Sequence, residues 1–343
     1  MQSKRLGYID AMRGYAILSV VISHIFTFTL CSGANLFNLV ITELQLPLFF
    51  MVSGLVLRIP DKHIFSVVSK RMFALLVPAT IFMLIYIWTA NLNLCSTLFH
   101  SYKFGYWFTY SLFEFITIFI CLTGLLRILN IRSIISDIIM IVAGIFILYF
   151  STLCTRYHQE YQIIDLFGLT HLQYYIYFVI GFMISKYDLL NKLVNNRKSD
   201  LFVGGGIAAF FLIHIFTYNG ETVRYLGSST FWFMLSSLSG LVVILCVFRK
   251  YEALSESKAG LMLQYIGRHT LDIYFIHYFF IPRNLSMIGD WFKTNYNPII
   301  ELSLAMIVAA LLIVASLMIS KIIRLSPTLA HWLLGVNKSR QNA

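Results

Sequence analysis

The sequence predicts an all-α polytopic membrane protein with about ten transmembrane helices and both termini in the cytoplasm. Three observations lead to this prediction: the composition, a series of long apolar segments, and the distribution of basic residues. Of the 343 residues, 59% are hydrophobic and only 12% are charged, whereas a soluble domain is about 25% charged. This composition excludes a cytosolic enzyme, a secreted disulfide scaffold and a disordered chain, and it makes the lipid bilayer a partner.

Ten apolar segments have the hydropathy expected of membrane spans. They lie at 11–31, 37–57, 72–92, 106–128, 134–151, 166–185, 201–217, 230–248, 261–282 and 299–320. The predicted transmembrane domain covers 1–325, and 326–343 is predicted to be a short cytoplasmic tail.

The basic residues test the number and direction of these spans. With ten spans, 20 of the 26 Lys and Arg residues fall on the side of the two termini, and five fall on the opposite side. Because basic residues are enriched in cytoplasmic loops, this asymmetry places both termini in the cytoplasm. The net charge of +11 is therefore interpreted as a topology signal, and no nucleic-acid partner is predicted.

Sequence motifs for metals and nucleotides are missing from the chain. It has no Walker A motif, no GxGxxG and no clustered Cys/His set, so we expect no metal and no permanently bound cofactor. The five cysteines form no CxxC pair. We expect unpaired thiols, with a bridge between Cys95 and Cys154 as the alternative.

The first predicted span carries three ionisable residues, Asp10, Arg13 and His24. Arg13 and His24 are eleven residues apart, which on an α-helix is about 20° beyond three full turns and a rise of about 16 Å. Both side chains therefore project from one face, and Asp10 is within reach of Arg13. Arg13 is either an interfacial anchor or a ligand-binding group, and His24 is either a structural hydrogen-bonding group or a catalytic one.

The ninth predicted span contains a second polar set, Arg268, Asp272 and His277. Arg268 and Asp272 have i, i+4 spacing and can form an ion pair. On a continuous helix His277 lies half a turn away from Arg268, so it is predicted to face elsewhere. The pair is either structural or functional, and His277 is either a core histidine or a functional one.

Other polar and aromatic residues have two interpretations each. Glu43 and Glu114 either contact a proton or substrate, or hydrogen-bond between helices. His214 is isolated in the sequence and is interpreted as structural. The outer aromatic residues either stack on sugar rings or form an interfacial belt; they are Tyr102, Tyr106, Trp107, Tyr110, Tyr157, Tyr161, Tyr174 and Tyr175.

Six sequence elements occur in one order along nearly the whole chain. They are Asp10-x-x-Arg13-Gly-x-Ala16 with His24, the segment 46–54 (LPLFFMVSG), Lys70-Arg71 before Pro78, Trp107-Phe108, the segment 177–182 with Lys186, and the segment 266–277 ending in His277. Together they resemble the acyltransferase-3 family of integral membrane acyltransferases. Two positions depart from the family pattern: Ala74 stands where a second arginine often occurs, and Thr270 replaces a serine.

The resemblance implies a reaction and a location. Members of this family transfer an acyl group, usually acetyl from acetyl-CoA, to a hydroxyl of a cell-surface glycan or its lipid-linked precursor. We therefore expect O-acetylation of a polysaccharide at the bacterial cytoplasmic (inner) membrane, with acetyl-CoA as a substrate. The competing hypothesis is a transporter or flippase for a glycolipid or small solute, which would show paired broken helices in matching halves. The sequence has no such internal symmetry.

The resemblance also suggests roles for individual residues. His24 is the expected general base for the acceptor hydroxyl, or else the carrier of a transient acyl group. Arg13, Lys70 and Arg71 are expected to bind the donor phosphates, with Asp10 orienting Arg13. The remaining candidates are assigned either to the acceptor or to structure: Trp107, Glu114, Arg268, Asp272 and His277.

Overall fold

The computed structural model describes residues 6–31, 35–59, 64–195, 199–217, 229–283, 285–295 and 297–336. Within these ranges the chain is helical and contains no β-strand. The α-helices are α1 Gly7–His24, α2 Leu36–Leu55, α3 Ile64–Thr89, α4 Leu94–Leu98, α5 Trp107–Ile128, α6 Ser133–Tyr157, α7 Gln162–Leu166, α8 Tyr175–Lys186, α9 Leu189–Val194, α10 Ser199–Thr217, α11 Ser229–Lys250, α12 Lys258–Arg268, α13 Thr270–Ile276, α14 Ser286–Thr294, α15 Pro298–Arg324 and α16 Pro327–Leu334.

Seven helices in the described ranges are long and apolar enough to cross a membrane, judged by length and composition. They are Gly7–Thr29, Leu36–Leu55, Ser66–Thr89, Trp107–Ile128, Ser133–Tyr157, Phe231–Lys250 and Pro298–Arg324. Each coincides with one of the ten predicted spans. The protein is therefore an all-helical polytopic membrane protein, as the sequence predicts.

The other three predicted spans are shorter or interrupted. The segment 201–217 lies in α10, whose apolar part is Ser199–Ile215. The segment 166–185 contains a left-handed Gly168 and a 3-10 turn before the 12-residue α8. The segment 261–282 is interrupted at His269, where φ is −106° and ψ is 20°. The count of ten spans and the cytoplasmic position of the termini stay predictions.

The chain forms two compact units, of which unit 1 comprises Met1–Val52 and Ile184–Leu317. Its central feature is the close packing of α1 against α12. A Cβ atom added at Gly14 would lie 2.0 Å from the carbonyl oxygen of Leu263, and one at Gly267 would lie 1.8 Å from that of Asp10. Only glycine permits this approach of two backbones, so these two residues fix α12 against the helix that carries Arg13 and His24.

Unit 2 comprises Ser53–Met183 and Met318–Ala343. In it α3 packs against α5 and against α16. Ser326 caps the start of α16, where its Oγ accepts a hydrogen bond from the backbone N–H of Leu329, and Gly335, with a positive φ of 63°, follows the last residue of the helix. These are the usual start and stop signals of a helix. Part of the predicted tail is therefore a packed helix.

All five cysteines lie in the described ranges and are free thiols. Cys154 and Cys246 are buried, and the other three are exposed. This arrangement confirms the expectation of unpaired thiols, and the alternative bridge between Cys95 and Cys154 is not formed in the structure.

Candidate active site

Helix α1 carries Asp10, Arg13 and His24 in one uninterrupted α-helical segment. The predicted rise of about 16 Å between Arg13 and His24 therefore applies. Directly after His24 the backbone changes to a π-helical turn over Ile25–Thr29, a rare geometry that occurs frequently at functional sites. The Oγ1 of Thr29 at the end of this turn donates to the carbonyl of Pro282 at 2.8 Å, which ties the turn to the chain that follows α13.

One end of α1 is a cluster of two arginines around a buried carboxylate. Asp10 Oδ1 lies 3.9 Å from Nη1 of Arg13, and Oδ2 lies 3.8 Å from Nε of Arg268. Arg268 Nη2 also donates to Gln264 Oε1 at 3.4 Å. The Asp10 side chain is 4% exposed, whereas those of Arg13 and Arg268 are 31% and 44% exposed. The cluster thus has an excess positive charge on accessible guanidinium groups, which suits an anionic ligand.

The other end of α1 is a cluster of two histidines and a tyrosine. His24 Nδ1 lies 2.9 Å from His277 Nε2, and His24 Nε2 lies 3.1 Å from the Tyr278 hydroxyl. The two imidazole rings are parallel, with 1° between their planes. His277 is fully buried. Both ring nitrogens of His24 therefore have a polar partner. These partners come from the end of the ninth predicted span, whose earlier part supplies Arg268 to the arginine cluster.

The helix break at His269 changes two predictions made for the ninth span. Helix α12 ends at Arg268 and α13 begins at Thr270, so i, i+4 geometry does not apply between Arg268 and Asp272. The structure instead places Arg268 against Asp10, while Asp272 Oδ2 lies 3.1 Å from Nδ1 of His269. The prediction that His277 faces elsewhere assumed a continuous helix, and it misses the contact with His24.

Lys70 and Arg71 lie on α3 in unit 2, and both are exposed. The neighbouring position where the family often has an arginine is Ala74, and its backbone lies against the turn at Gly335. A Cβ atom added at Gly335 would lie 2.6 Å from the carbonyl oxygen of Ala74. The end of α16 therefore packs against α3 at this position, and the close approach requires glycine at Gly335.

A comparison with protein-family models shows which family the chain belongs to. The model named Acyl_transf_3, described as an acyltransferase domain, matches residues 6–323. The chain belongs to the acyltransferase-3 family. Together with the seven long apolar helices, this shows that the protein is a membrane acyltransferase. No curated protein and no solved structure gives a match to the chain.

The acyltransferase has a third polar cluster, which lies in unit 2 and contains Trp107. The indole ring of Trp107 stacks on His171, with ring centroids 3.8 Å apart. His171 Nε2 lies 2.9 Å from the carbonyl oxygen of Ser101. Glu114, on the same helix as Trp107, has a buried Oε2 with no hydrogen-bond partner among the described residues. Trp107 is thus buried in a polar environment and is not part of an exposed belt.

The sequence did not single out Lys103, which also belongs to this third cluster. Its ammonium donates to the carbonyl of Asp165 at 2.8 Å and to that of Leu98 at 3.3 Å. Burial lowers the pKa of Lys103, while the carboxylates of Glu114 and Asp165 act in the opposite direction. Lys103 and Phe104 both have positive φ, 43° and 49°, a strained conformation for residues with a side chain. The available signal was a single lysine within an aromatic, otherwise uncharged segment.

His214 of the acyltransferase has a partner that the sequence did not indicate, and the contact is consistent with the structural role interpreted for it. Its Nε2 lies 2.7 Å from Oε2 of Glu43, and its Nδ1 lies 2.7 Å from the carbonyl oxygen of Phe210. Glu43 is 5% exposed. The pair joins α2 to α10 within unit 1, which supports the interpretation of Glu43 as a group that hydrogen-bonds between helices.

Proposed function

We propose that this membrane acyltransferase moves an acetyl group from acetyl-CoA to a hydroxyl of a cell-surface glycan or its lipid-linked precursor. The proposed location is the bacterial cytoplasmic membrane. The family match supports acyl transfer over the transporter hypothesis. The single observation that supports the chemistry is the division of α1 into a cationic end and a neutral histidine end.

The cationic end has the properties needed to bind the phosphates of acetyl-CoA. Arg13 and Arg268 present partly exposed guanidinium groups, and the buried Asp10 contacts both of them. Phosphate prefers such planar donors because two N–H groups can bind it at once. Asp10 limits the rotation of both side chains, so less conformational entropy is lost when a phosphate binds. The contributions of Lys70 and Arg71 stay predictions from the resemblance.

The histidine end has the properties needed for a general base. In the proposed reaction Nε2 of His24 takes the proton of the acceptor hydroxyl as its oxygen attacks the thioester carbonyl. The new C–O bond forms and the C–S bond breaks. The proton on Nε2 then passes to the departing CoA sulfur, so the products are the acetyl ester and CoA thiol. A transient acetyl group on His24 is the alternative course.

The reaction requires a donor made in the cytoplasm and an acceptor completed outside. Arg13 and His24 are separated along one membrane helix by about 16 Å. This separation allows the phosphates of the donor to bind at one end while the thioester reacts deeper in the protein. Acetyl-CoA is then a substrate only, and the proposed chemistry requires no metal.

Mass analysis of surface polysaccharide tests this function. The glycan from a deletion strain is compared with the glycan from the same strain carrying the parental chain. We expect acetyl esters on the complemented glycan and none on the glycan of the deletion strain. Identical glycans, together with no acetyl transfer from labelled acetyl-CoA in isolated membranes, would contradict the proposal.

A further inference from the structure

We infer that His277 is a positioning residue that holds His24 in the tautomer with its proton on Nδ1 and its lone pair on Nε2. The inference rests on the proposed function, because it concerns the base of that reaction. It assigns the hydrogen atoms in a chain of three contacts that begins at a backbone carbonyl and ends at Tyr278.

The first contact fixes the proton of His277. Its Nδ1 lies 2.9 Å from the carbonyl oxygen of Ile273, and a carbonyl oxygen only accepts hydrogen bonds. Nδ1 of His277 therefore carries a hydrogen. This carbonyl also accepts from the backbone N–H of His277, at the point where α13 ends. The helix end thus supplies an acceptor that sets the orientation of the His277 ring.

The second contact transfers this constraint to His24. His277 is fully buried, and a charged imidazolium is costly at such a position. The ring is therefore neutral, and with a hydrogen on Nδ1 its Nε2 has a lone pair. Since His24 Nδ1 lies 2.9 Å from this Nε2, His24 must donate from Nδ1.

The third contact shows which nitrogen atom of His24 can accept a proton in the reaction. In a neutral ring with a hydrogen on Nδ1, Nε2 has the free lone pair. The Tyr278 hydroxyl lies 3.1 Å from it and donates to it. A hydroxyl therefore already occupies the place that the acceptor hydroxyl must take in the reaction. The acceptor is expected to displace the hydroxyl of Tyr278 before proton transfer.

The arrangement follows the logic of a nucleophile, a base and an orienting group. Here the orienting group is a neutral histidine, which costs less to bury in a membrane protein than a carboxylate. When Nε2 of His24 takes the proton, the hydrogen bond from Nδ1 to His277 becomes charge-assisted and stronger. His277 therefore contributes most in the transition state, so its loss should lower kcat and leave donor binding unchanged.

The tautomer can be measured directly in the parental protein. Nitrogen-15 NMR of histidine-labelled protein in lipid bilayers, with His24→Gln used to assign the signal, distinguishes protonated from unprotonated ring nitrogens. We expect His24 to show a protonated Nδ1 and an unprotonated Nε2. A protonated Nε2 with an unprotonated Nδ1 would overturn the inference, even if the protein is an active acetyltransferase.

Two substitutions at His277 test its contribution to catalysis. Gln keeps an acceptor close to the place of Nε2, whereas Leu has a similar size and no acceptor. We expect His277→Leu to lower kcat for acetyl transfer by about 10²-fold, with KM for acetyl-CoA unchanged. We expect His277→Gln to recover most of this loss. Parental kcat in His277→Leu, or no recovery in a folded His277→Gln, would overturn the inference.

The matched control is His214→Gln, which makes the same substitution as His277→Gln at a partly buried histidine of unit 1. Its amide can still donate to Glu43, so we expect kcat to change by less than about threefold. If this control loses as much activity as His277→Leu, histidine loss acts through folding and the positioning role is rejected. Failure of the proposed function is distinguishable, because the parental protein would then transfer no acetyl group at all.

Discussion

The carboxylate of Asp10 contacts Arg268, a residue from a distant part of the sequence, at 3.8 Å. The same carboxylate contacts Arg13 of its own helix at 3.9 Å. An ion pair therefore connects helices α1 and α12 at the position where Gly267 allows their backbones to approach closely. This relationship explains how an arginine pair can be accessible to a ligand and still be held in place.

Asp10→Asn should weaken both the fold and donor binding. The substitution keeps the size of the side chain and leaves two neighbouring guanidinium groups without their shared carboxylate. We expect the free energy of unfolding to fall by about 1–3 kcal/mol and the affinity for acetyl-CoA to fall severalfold. Thermal unfolding and donor titration in detergent measure the two effects. The control is Asp200→Asn, which removes the exposed carboxylate paired with Lys250 and should leave the stability and donor binding close to the parental values, because solvent screens exposed ion pairs. Equal effects of both variants would contradict the prediction.

Arg13→Ala should weaken acetyl-CoA binding by about 10- to 100-fold, because a charge-assisted hydrogen bond to phosphate is lost. Arg13→Lys should recover only part of the affinity, since an ammonium cannot form the paired contacts of a guanidinium. Isothermal titration of the purified variants provides the measurement. Lys258→Ala removes an exposed positive charge at the start of α12 and should bind the donor like the parent. Unchanged affinity in Arg13→Ala would assign Arg13 to membrane anchoring.

Gly14→Ala should separate α1 from α12, because its Cβ would meet the carbonyl oxygen of Leu263 at 2.0 Å. We expect a loss of stability of about 1–3 kcal/mol together with reduced activity, seen as a lower thermal midpoint. Gly205→Ala is the matched control: nothing lies within 4 Å of its Cβ position, and alanine favours helix by about 0.5–1 kcal/mol. A parental midpoint and activity in Gly14→Ala would show that the two helices are not fixed by this contact.

The positive-inside distribution gives a topology that reporter fusions can test. A reporter after Ala343 and one near Asn195 should both be cytoplasmic, and one near Asn219, a position outside the described residues, should be external. The reason is the 20 to 5 division of basic residues between the two sides, which follows the positive-inside rule. An external C-terminus would reject the ten-span topology.

The sequence could predict the features that depend on contacts within a single helix. The uninterrupted α1, the i, i+3 pair of Asp10 with Arg13, and the seven long apolar helices all follow from local spacing and hydropathy. These features depend on contacts within one helix, and helical periodicity describes such contacts well. The order of motifs along the chain was sufficient to indicate the family.

The sequence could not predict what depends on distant contacts. His24 and His277 are 253 residues apart, and no local pattern indicates that they meet. The break in the helix at His269 also cannot be predicted from hydropathy, because a bent and a straight apolar helix have the same hydropathy profile. Once a continuous helix is assumed there, both the Arg268–Asp272 pair and the direction of His277 are predicted wrongly. The Glu43–His214 pair was missed because each residue was considered alone.

The central claim is that His24 is the base of acetyl transfer, and His24→Gln tests it most directly. Glutamine retains hydrogen bonding but cannot accept a proton near neutral pH. At matched expression, the acetate released from isolated glycan should fall by about 10²-fold or more, while membrane insertion and acetyl-CoA binding stay intact. Acetate release at close to the parental rate would contradict the mechanism, even though the chain is a member of the acyltransferase-3 family.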